Sequence, residues 1–236
     1  MFLYIIRHGD PDYATDSLTP RGLLQAESVG KRLYEAKIDR IFSSPMGRAQ
    51  QTAAPACRLL GLPCQIEPWT REIPKEFFSA PGDDRSGPSG SIYIQNTYLL
   101  ENGGYDLSYS RTFESPAFEG TQMAAARDYI EENGKEFLER LGYREENGIY
   151  RILRPSEEKV ALFCHGAFSR TWLSTLLHVP MHIMMASFGN SHTGVTVLQF
   201  KNNENGFTAP RCYCLSDLSH LHADGLETHY PGNLGF

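Results

Sequence analysis

The sequence predicts an α/β fold in which a parallel β-sheet is covered by helices. Over residues 2–67, short apolar runs alternate with segments of helical periodicity, in the order strand, helix, strand, helix, strand. Such alternation is typical of parallel sheets, because each helix carries the chain back to the start of the next strand. A later apolar run, Lys159–Cys164, predicts another buried strand. Because no second segment has its own core, we predict one domain over residues 1–236.

The first strand and helix are predicted by composition and by a capping signal. Phe2–Ile6 is short and β-rich, which indicates a buried strand. Thr19 followed by Pro20 is typical of a helix start, since threonine caps and proline fits the first helical position. This helix is predicted to end near Glu35. Its apolar stripe consists of Leu23, Ala26, Gly30 and Leu33.

The next strand and helix are predicted by the same signals. Asp39–Ser43 is predicted as the strand, and Ser44-Pro45 repeats the cap-plus-proline pattern before a helix that ends near Leu60. Pro55 is expected to kink or break that helix, because proline cannot donate the interior hydrogen bond. Cys64–Glu67 is predicted as the third strand.

Residues 74–118 interrupt the pattern with a long stretch rich in Gly, Pro, Ser and Tyr. A plain loop of this length is unusual within a domain, so we predict an insertion that covers a functional site. A partly disordered surface excursion is the alternative. Aromatic residues argue for at least partial order, because disordered segments are usually poor in them. These aromatic residues are Tyr93, Tyr98, Tyr105, Tyr109, Phe113 and Phe118.

The rest of the chain is predicted to contain a helix, a hairpin, a buried strand, a second helix and two late strands. In chain order these are Thr121–Leu141, Tyr143–Leu153, Lys159–Cys164, Phe168–Leu177, Gly194–Phe200 and Arg211–Leu215.

Two apolar strands end in a His-Gly pair, at His8 and at His165. In an open parallel sheet ligands bind beyond the carboxyl ends of the strands, so both imidazoles are expected at one edge. Arg7 directly precedes His8, and Arg48 lies in the first turn of a predicted helix, where free N–H groups also favour anions. Two histidines and two arginines around one point predict a pocket for a tetrahedral dianion, most simply phosphate.

The segments RHG, SSPMGRAQQTA, TREI and FCHG occur in this order, and together they resemble the histidine phosphatase superfamily, which also contains the cofactor-dependent phosphoglycerate mutases. The resemblance covers roughly residues 1–72 and 119–200. It implies a three-layer fold with a mostly parallel central sheet flanked by helices. It also implies that His8 is a transiently phosphorylated nucleophile and that Arg7, Arg48 and His165 hold the phosphoryl oxygens.

The resemblance further suggests Glu72 as the proton donor, although residues 74–78 replace the glycine and tryptophan that often follow this glutamate. The chemistry is consistent with these roles. A neutral imidazole is a competent nucleophile near pH 7, and neighbouring cations favour the neutral form. Arginines can supply the charge that phosphoryl transfer needs, so no metal or other cofactor is predicted.

We therefore predict a metal-independent phosphomonoesterase that forms phosphohistidine on His8. The first alternative is a phosphoglycerate mutase, which returns the phosphoryl group to substrate. Such mutases usually carry a longer segment with Asn, Arg and Trp after RHG, whereas a short acidic segment at residues 10–17 stands here. Asp10 and Asp12 in it are interpreted as structural or solvated. The second alternative is a non-catalytic module that binds phosphorylated ligands.

Charge and composition exclude or disfavour other classes. The net charge of −6 without a basic run disfavours nucleic-acid binding. The expected partner is a small phosphorylated substrate, as the predicted phosphate pocket implies. No apolar stretch approaches the roughly 20 residues of a membrane span, and no secretory signal is recognised. Residues 194–200 could pair as an edge strand with a second subunit, which makes a homodimer possible.

The cysteines and the late histidines do not match a disulfide framework or a standard zinc pattern. An odd number of cysteines indicates reduced thiols and hence a cytoplasmic location. Packing and surface roles are predicted for the late histidines. The residues concerned are Cys57, Cys64, Cys164, Cys212 and Cys214 and the histidines His220, His222 and His229.

Overall fold

The computed structural model describes residues 1–78 and 107–228. The strands are β1 Phe2–Arg7, β2 Pro11–Asp12, β3 Ser17–Leu18, β4 Arg40–Ser43, β5 Cys64–Ile66, β6 Tyr143–Glu146, β7 Ile149–Ile152, β8 Lys159–Cys164, β9 Val195–Gln199, β10 Phe207–Thr208 and β11 Arg211–Asp217. The α-helices are α1 Pro20–Ala36, α2 Gly47–Leu60, α3 Met123–Arg140, α4 Gly166–Leu177, α5 Met181–Ser187 and α6 Ser219–Ala223. Short 3-10 helices lie at Pro68–Thr70, Lys75–Phe78, Tyr109–Glu114 and Pro116–Phe118.

The described residues divide into two compact units. The first unit comprises Met1–Arg71, Leu138–Gly166 and the described residues from Gly189 onward. The second comprises the described residues of 72–137 together with Ala167–Phe188. The single-domain organisation stays a prediction.

The central sheet lies in the first unit and has the strand order β11-β9-β1-β8-β4-β5. Strand β8 is parallel to β1 on one side and to β4 on the other, and β4 is parallel to β5. Only the β9 side is antiparallel. The prediction of an α/β fold with a mostly parallel central sheet flanked by helices is confirmed.

The expectation that residues 194–200 form an edge strand is wrong. Strand β9 pairs with β1 on one side and with β11 on the other, so its backbone groups are used within the sheet. The sheet ends instead at β11 and β5. Sequence periodicity identifies a strand but carries no information on which neighbours it finds.

Helices α1 and α2 pack together with the sheet in one apolar cluster. A side chain at Gly30 of α1 would place its Cβ 2.9 Å from the Cβ of Pro55, so glycine permits the close approach of the two helices. The prediction that Leu23 belongs to the buried apolar stripe of α1 is wrong, because this residue is 51% exposed. The cluster is formed by Ile6, Val29, Leu33, Ile38, Ile41, Ala53, Ala56, Ala161, Phe163 and Val195.

The start of α1 is as predicted, whereas the start of α2 is not. The Thr19 Oγ1 accepts a hydrogen bond of 3.0 Å from the Gly22 N–H, and proline follows it. Helix α2 begins at Gly47 rather than at Pro45, and the Ser44 side chain does not cap it. Pro55 does not break α2, which continues to Leu60.

The second unit has a core around α3. The apolar residues Met123, Ala126, Ile130 and Phe137 of that helix are buried, and the ring centroids of Phe137 and Trp172 are 6.0 Å apart. Among the described residues of the predicted insertion, Phe118 is buried and its ring centroid lies 5.0 Å from that of Phe113. Most of the 74–118 insertion, including Tyr93, Tyr98 and Tyr105, lies outside the described residues, and its role as a cover stays a prediction.

The hairpin predicted after α3 is present as β6 and β7. Asn147 and Gly148 turn between the strands with φ of 54° and 86°, the left-handed pair that a tight hairpin turn requires. Strand β10 adds to β7, a pairing that the sequence did not indicate. Within residues 1–78 and 107–228, no helix is long and apolar enough to cross a membrane.

Candidate active site

The two histidines lie side by side at the carboxyl ends of neighbouring parallel strands. Arg7, the last residue of β1, is in register with Cys164, the last residue of β8. The His8 N–H donates to the Cys164 carbonyl oxygen at 3.0 Å. The ring centroids of His8 and His165 are therefore only 5.2 Å apart, although 157 positions separate the residues in sequence.

The imidazole of His8 is buried and is held in one tautomer. Its Nδ1 lies 2.7 Å from the Gly9 carbonyl oxygen. Because a carbonyl only accepts, Nδ1 must carry the hydrogen, which leaves a lone pair on Nε2. Burial lowers the pKa of His8 well below its ordinary value, and the charge of Arg7 lowers it further. The ring is therefore neutral near pH 7 and has a nucleophilic Nε2.

The other imidazole, His165, is held by the serine that sequence reasoning assigned to a helix cap. The His165 Nε2 lies 2.7 Å from the Ser44 Oγ. Burial lowers the pKa of His165 well below its ordinary value, and Arg48 and Arg7 act in the same direction. Ser44 follows β4, which neighbours β8, so adjacent strand ends bring the pair together.

Arg7 is fixed between the end of β1 and the loop that precedes β9. Its Nη1 donates to the Asn190 carbonyl oxygen. A Cβ on Gly166 would lie 3.3 Å from the guanidinium carbon of Arg7. The glycine of the second His-Gly pair thus gives the guanidinium room beside His165.

Arg48, near the start of α2, is 5% exposed and is positioned by an aspartate that the sequence analysis did not single out. Its Nη1 donates to the Asp16 Oδ1, and the Asp16 Oδ2 accepts from the Gly47 N–H at 2.7 Å. The ring of Tyr13 lies 5.4 Å from the Arg48 guanidinium carbon. Asp16 was visible only as one carboxylate of an acidic segment, since its partner lies 32 positions away.

Three buried polar nitrogens of these residues have no hydrogen-bond partner within the described parts of the chain. They are the Arg7 Nε, the Arg48 Nε and the His165 Nδ1. Arginine nitrogens can only donate, and burying a donor without an acceptor costs free energy. Such donors are suited to an anion that has several oxygens.

Glu72 belongs to the second unit and lies at the start of α4. Its Oε1 accepts from the Phe168 N–H at 2.9 Å, and its Oε2 accepts from the Ala167 N–H at 3.2 Å. These N–H groups belong to the first turn of α4, where helix amides have no partner within the helix. The carboxylate is therefore fixed at the start of the helix that directly follows His165 in the chain. That helix begins at Gly166, two residues earlier than predicted.

The loop before β9 contributes residues that sequence reasoning did not select. The Thr193 N–H is shared by the carbonyl oxygens of Arg7 and His8, at 3.1 and 3.2 Å. Thr193 has φ of 55°, a value that is uncommon for a β-branched residue. The ring of His192 lies 5.6 Å from that of His8. A histidine within GNSHTG was a signal available in the sequence, but without a contact it had no assigned role.

The late histidine His220 supports this loop through a buried network. Its Nε2 lies 3.1 Å from the Thr193 Oγ1, which itself donates to the His192 carbonyl oxygen. The Arg32 Nη1 lies 3.3 Å from the His220 Nδ1, so Nδ1 accepts and Nε2 carries the hydrogen. Burial lowers the pKa of His220 to about 4.

The packing role predicted for the late histidines describes His220, whereas His222 is exposed and His229 lies outside the described residues. Within the described ranges no group of three or more His, Cys, Asp or Glu side chains could hold a metal ion.

The depressed pKa of His220 predicts that stability falls when the pH drops from about 6.5 to about 4. In this window the unfolded chain binds a proton that the folded chain does not, so stability rises with pH. A shift to about 4 corresponds to a loss on the order of 3 kcal/mol once the pH is below both values. His8 and His165 shift in the same direction.

Urea unfolding at pH 7, 6, 5 and 4.5 measures this effect. We expect the midpoint to fall in acid, and the fall to be smaller for His220→Asn. His222→Asn is the matched control, and its acid dependence should equal that of the unmodified protein. Equal acid dependence in His220→Asn would contradict the assignment.

Comparisons with known proteins show which proteins the chain is similar to. The family model described as histidine phosphatase superfamily (branch 1) matches residues 3–75. A Yersinia pestis protein assigned as a phosphoglycerate mutase is 29% identical over 190 residues, which are 76% of each chain. A Hydrogenobacter thermophilus protein assigned as a phosphoserine phosphatase is 31% identical over 80 residues, which are 30% of this chain and 39% of that protein.

A solved structure has the same fold. The phosphoserine phosphatase of Entamoeba histolytica in complex with phosphoserine superposes with a TM-score of 0.59 at 21% identity, covering 93% of this chain and 98% of that chain. Residues 3–75 are thus similar to the histidine phosphatase superfamily, and the described residues share the fold of this solved structure. The prediction of a histidine-type phosphomonoesterase agrees with the phosphatase relative and with the phosphatase structure that has this fold.

Proposed function

We propose that this protein is a metal-independent phosphatase that hydrolyses small phosphate monoesters through a phosphohistidine on His8. The observation that carries the proposal is the neutral His8 imidazole, with its lone pair on Nε2, next to His165 and two arginines. A nucleophile, a second imidazole and two cations are the groups that phosphoryl transfer through histidine requires.

In the first step the Nε2 lone pair of His8 attacks phosphorus and the ester P–O bond breaks. Arg7, Arg48 and His165 hold the phosphoryl oxygens and stabilise the charge that develops on them. Glu72 acts as the general acid of this step and gives a proton to the leaving alkoxide, so an alcohol departs. The bond from the His8 Nδ1–H to the Gly9 carbonyl stabilises the positive charge that the ring acquires.

In the second step water attacks the phosphohistidine. The Glu72 carboxylate takes a proton from that water as the oxygen bonds to phosphorus, and the P–N bond breaks. His8 recovers its Nε2 lone pair, Glu72 is again protonated, and inorganic phosphate leaves. One carboxyl group thus serves both steps.

The alternative of phosphoglycerate mutase activity is supported by the Yersinia pestis relative. We favour hydrolysis because the segment after β1 is short and acidic. Two of its aspartates have partners within the protein: Asp12 accepts from the Thr15 hydroxyl at 2.9 Å, and Asp16 accepts from Arg48. Residues 10–17, which the structure describes, contain no Lys or Arg that could bind the carboxylate of a phosphoglycerate. A non-catalytic module that binds phosphorylated ligands is the second alternative.

Hydrolysis of p-nitrophenyl phosphate in the presence of a chelator tests the proposal. We expect the chelator to leave the turnover unchanged. We also expect the protein to become phosphorylated, with a label that is stable in base and lost in acid, as for phosphohistidine. We expect 3-phosphoglycerate either to be hydrolysed with release of inorganic phosphate or to remain unreacted. Isomerisation of 3-phosphoglycerate faster than phosphate release would establish the mutase, and phosphate binding without labelling would establish the binding module.

We also propose a cytoplasmic location. All five cysteines lie within the described residues, and none of them forms a disulfide. Reduced thiols are typical of that compartment.

A further inference from the structure

The strongest feature outside the proposed set of Arg7, His8, Arg48 and His165 is the pair formed by His192 and Asp10. The His192 Nδ1 lies 3.5 Å from the Asp10 Oδ1, and the His192 side chain is 12% exposed. The ring of His192 lies 5.6 Å from that of His8, at an interplanar angle of 33°. A third imidazole therefore stands beside the nucleophile, with a carboxylate behind it.

Hydrogen bonds hold both members of the pair in place. Asp10 follows His8 by two positions, its Oδ2 accepts from the Thr19 hydroxyl at 2.7 Å, and its N–H donates to the Gln25 Oε1 at 2.8 Å. The loop of His192 is tied to β1 by the Thr193 N–H, which is shared by two carbonyl oxygens. The geometry of the pair is thus set by the same elements that set His8.

The charges around the site indicate how this pair can affect phosphate binding. Arg7 and Arg48 are cationic, but Asp16 offsets Arg48, and Asp10 places a second negative charge next to the nucleophile. An uncompensated carboxylate there repels a phosphate dianion. A protonated His192 neutralises Asp10 and adds a donor that can bind phosphate.

The other charged or titratable groups near this loop come from several elements. Arg7 and His8 belong to β1 and its end, His165 follows β8, and Arg71 acts electrostatically on His165. On the far side of the loop, His220 and Arg32 face it through the Thr193 hydroxyl. All of these groups are cationic or are imidazoles, whereas the partner of His192 in the ion pair is the Asp10 carboxylate.

We propose that His192 is a further substrate-binding residue, which contacts the phosphate oxygens as an imidazolium, and that Asp10 is its positioning residue. The inference rests on the proposed function, since it assigns the pair to the same phosphate site. Phosphate affinity is then greatest while His192 is protonated. When His192 loses its proton at higher pH, the Asp10 carboxylate is uncompensated and the affinity falls.

The test measures the KM for p-nitrophenyl phosphate, and the inhibition constant of inorganic phosphate, from pH 5.5 to 8.5. His192→Asn should raise both about tenfold at pH 6, with a smaller change in kcat, because one charge-assisted hydrogen bond is lost. In the unmodified protein KM should rise with pH as His192 loses its proton. This rise should be absent in His192→Asn. Asp10→Asn should keep that rise but move it to lower pH by about one unit, since the imidazolium loses its counter-charge.

The double variant Asp10→Asn, His192→Asn separates this role from simple loop support. We expect it to bind phosphate better than His192→Asn alone, because the repelling carboxylate is gone. His222→Asn, an exposed histidine, is the matched control and should leave every value unchanged. Thermal melting of each variant identifies any that do not fold, and His192→Gln then replaces His192→Asn.

An unchanged KM and pH profile in His192→Asn would overturn the inference, as would a double variant that binds phosphate no better than the single variant. Equilibrium binding of inorganic phosphate, followed by calorimetry, tests the pair without turnover. Failure of the wild-type protein to form phosphohistidine would instead contradict the proposed function, whatever the His192 variants do.

Discussion

Replacing His8 with alanine is expected to lower kcat for p-nitrophenyl phosphate by at least about 10⁴-fold, because the variant has no group that can form the covalent intermediate. The tautomer of His8 makes its Nε2 available for attack. The hydrogen bond from Nδ1 to the Gly9 carbonyl leaves Nε2 unprotonated, with a free lone pair. His165 already uses its Nε2 in the contact with Ser44. Initial rates with a chelator present give the measurement.

His222→Ala is the matched control for this loss, since it removes an exposed histidine. It should retain full activity and labelling. Melting curves show whether the His8 variant is folded, and inorganic phosphate should still bind to it through the arginines. Turnover that persists in His8→Ala after repurification would show that another residue is the nucleophile.

Replacing Glu72 with glutamine is expected to lower kcat in a manner that depends on the leaving group. For an alkyl phosphate the loss should be about 10²- to 10⁴-fold, because the departing alkoxide needs a proton. For p-nitrophenyl phosphate the first step should be affected less, because p-nitrophenolate leaves without protonation. Glutamine has nearly the same shape, and its amide oxygen can still accept from the Phe168 N–H.

Steady-state and single-turnover rates for both esters measure this difference. Single-turnover release of p-nitrophenol reports the first step, and phosphohistidine should accumulate because the second step also loses its base. Glu76→Gln, an exposed carboxylate four positions later, is the matched control. An equal loss for both esters in the first step would mean that Glu72 only supports the start of α4.

Most of the sheet and two of its helices could be predicted from the sequence, because they follow from local signals. The Thr19 cap and the apolar runs of β1 and β8 depend on residues close to one another in the chain. The His-Gly pairs could be placed at one edge because parallel strands share that edge. Arg7, His8, Arg48 and His165 were selected in this way, and the structure brings all four together.

The failures arise because local sequence patterns carry no information on tertiary contacts. Ser44 looks like a helix cap, but its hydroxyl is used by His165, 121 positions away. Leu23 fits the helical stripe, but this residue is 51% exposed. Local propensity is a weak prior that tertiary contacts override.

The sequence by itself predicted the class of chemistry, since two imidazoles and the arginines beside them stand in short motifs that follow strands. Only the tertiary structure decided which tautomer His8 adopts, which aspartate holds Arg48, and which third histidine stands beside the nucleophile. The pairing of Asp10 with His192 spans most of the chain. Such pairs depend on side-chain contacts across the sheet, and these contacts exist only after strands that are remote in sequence have found their register.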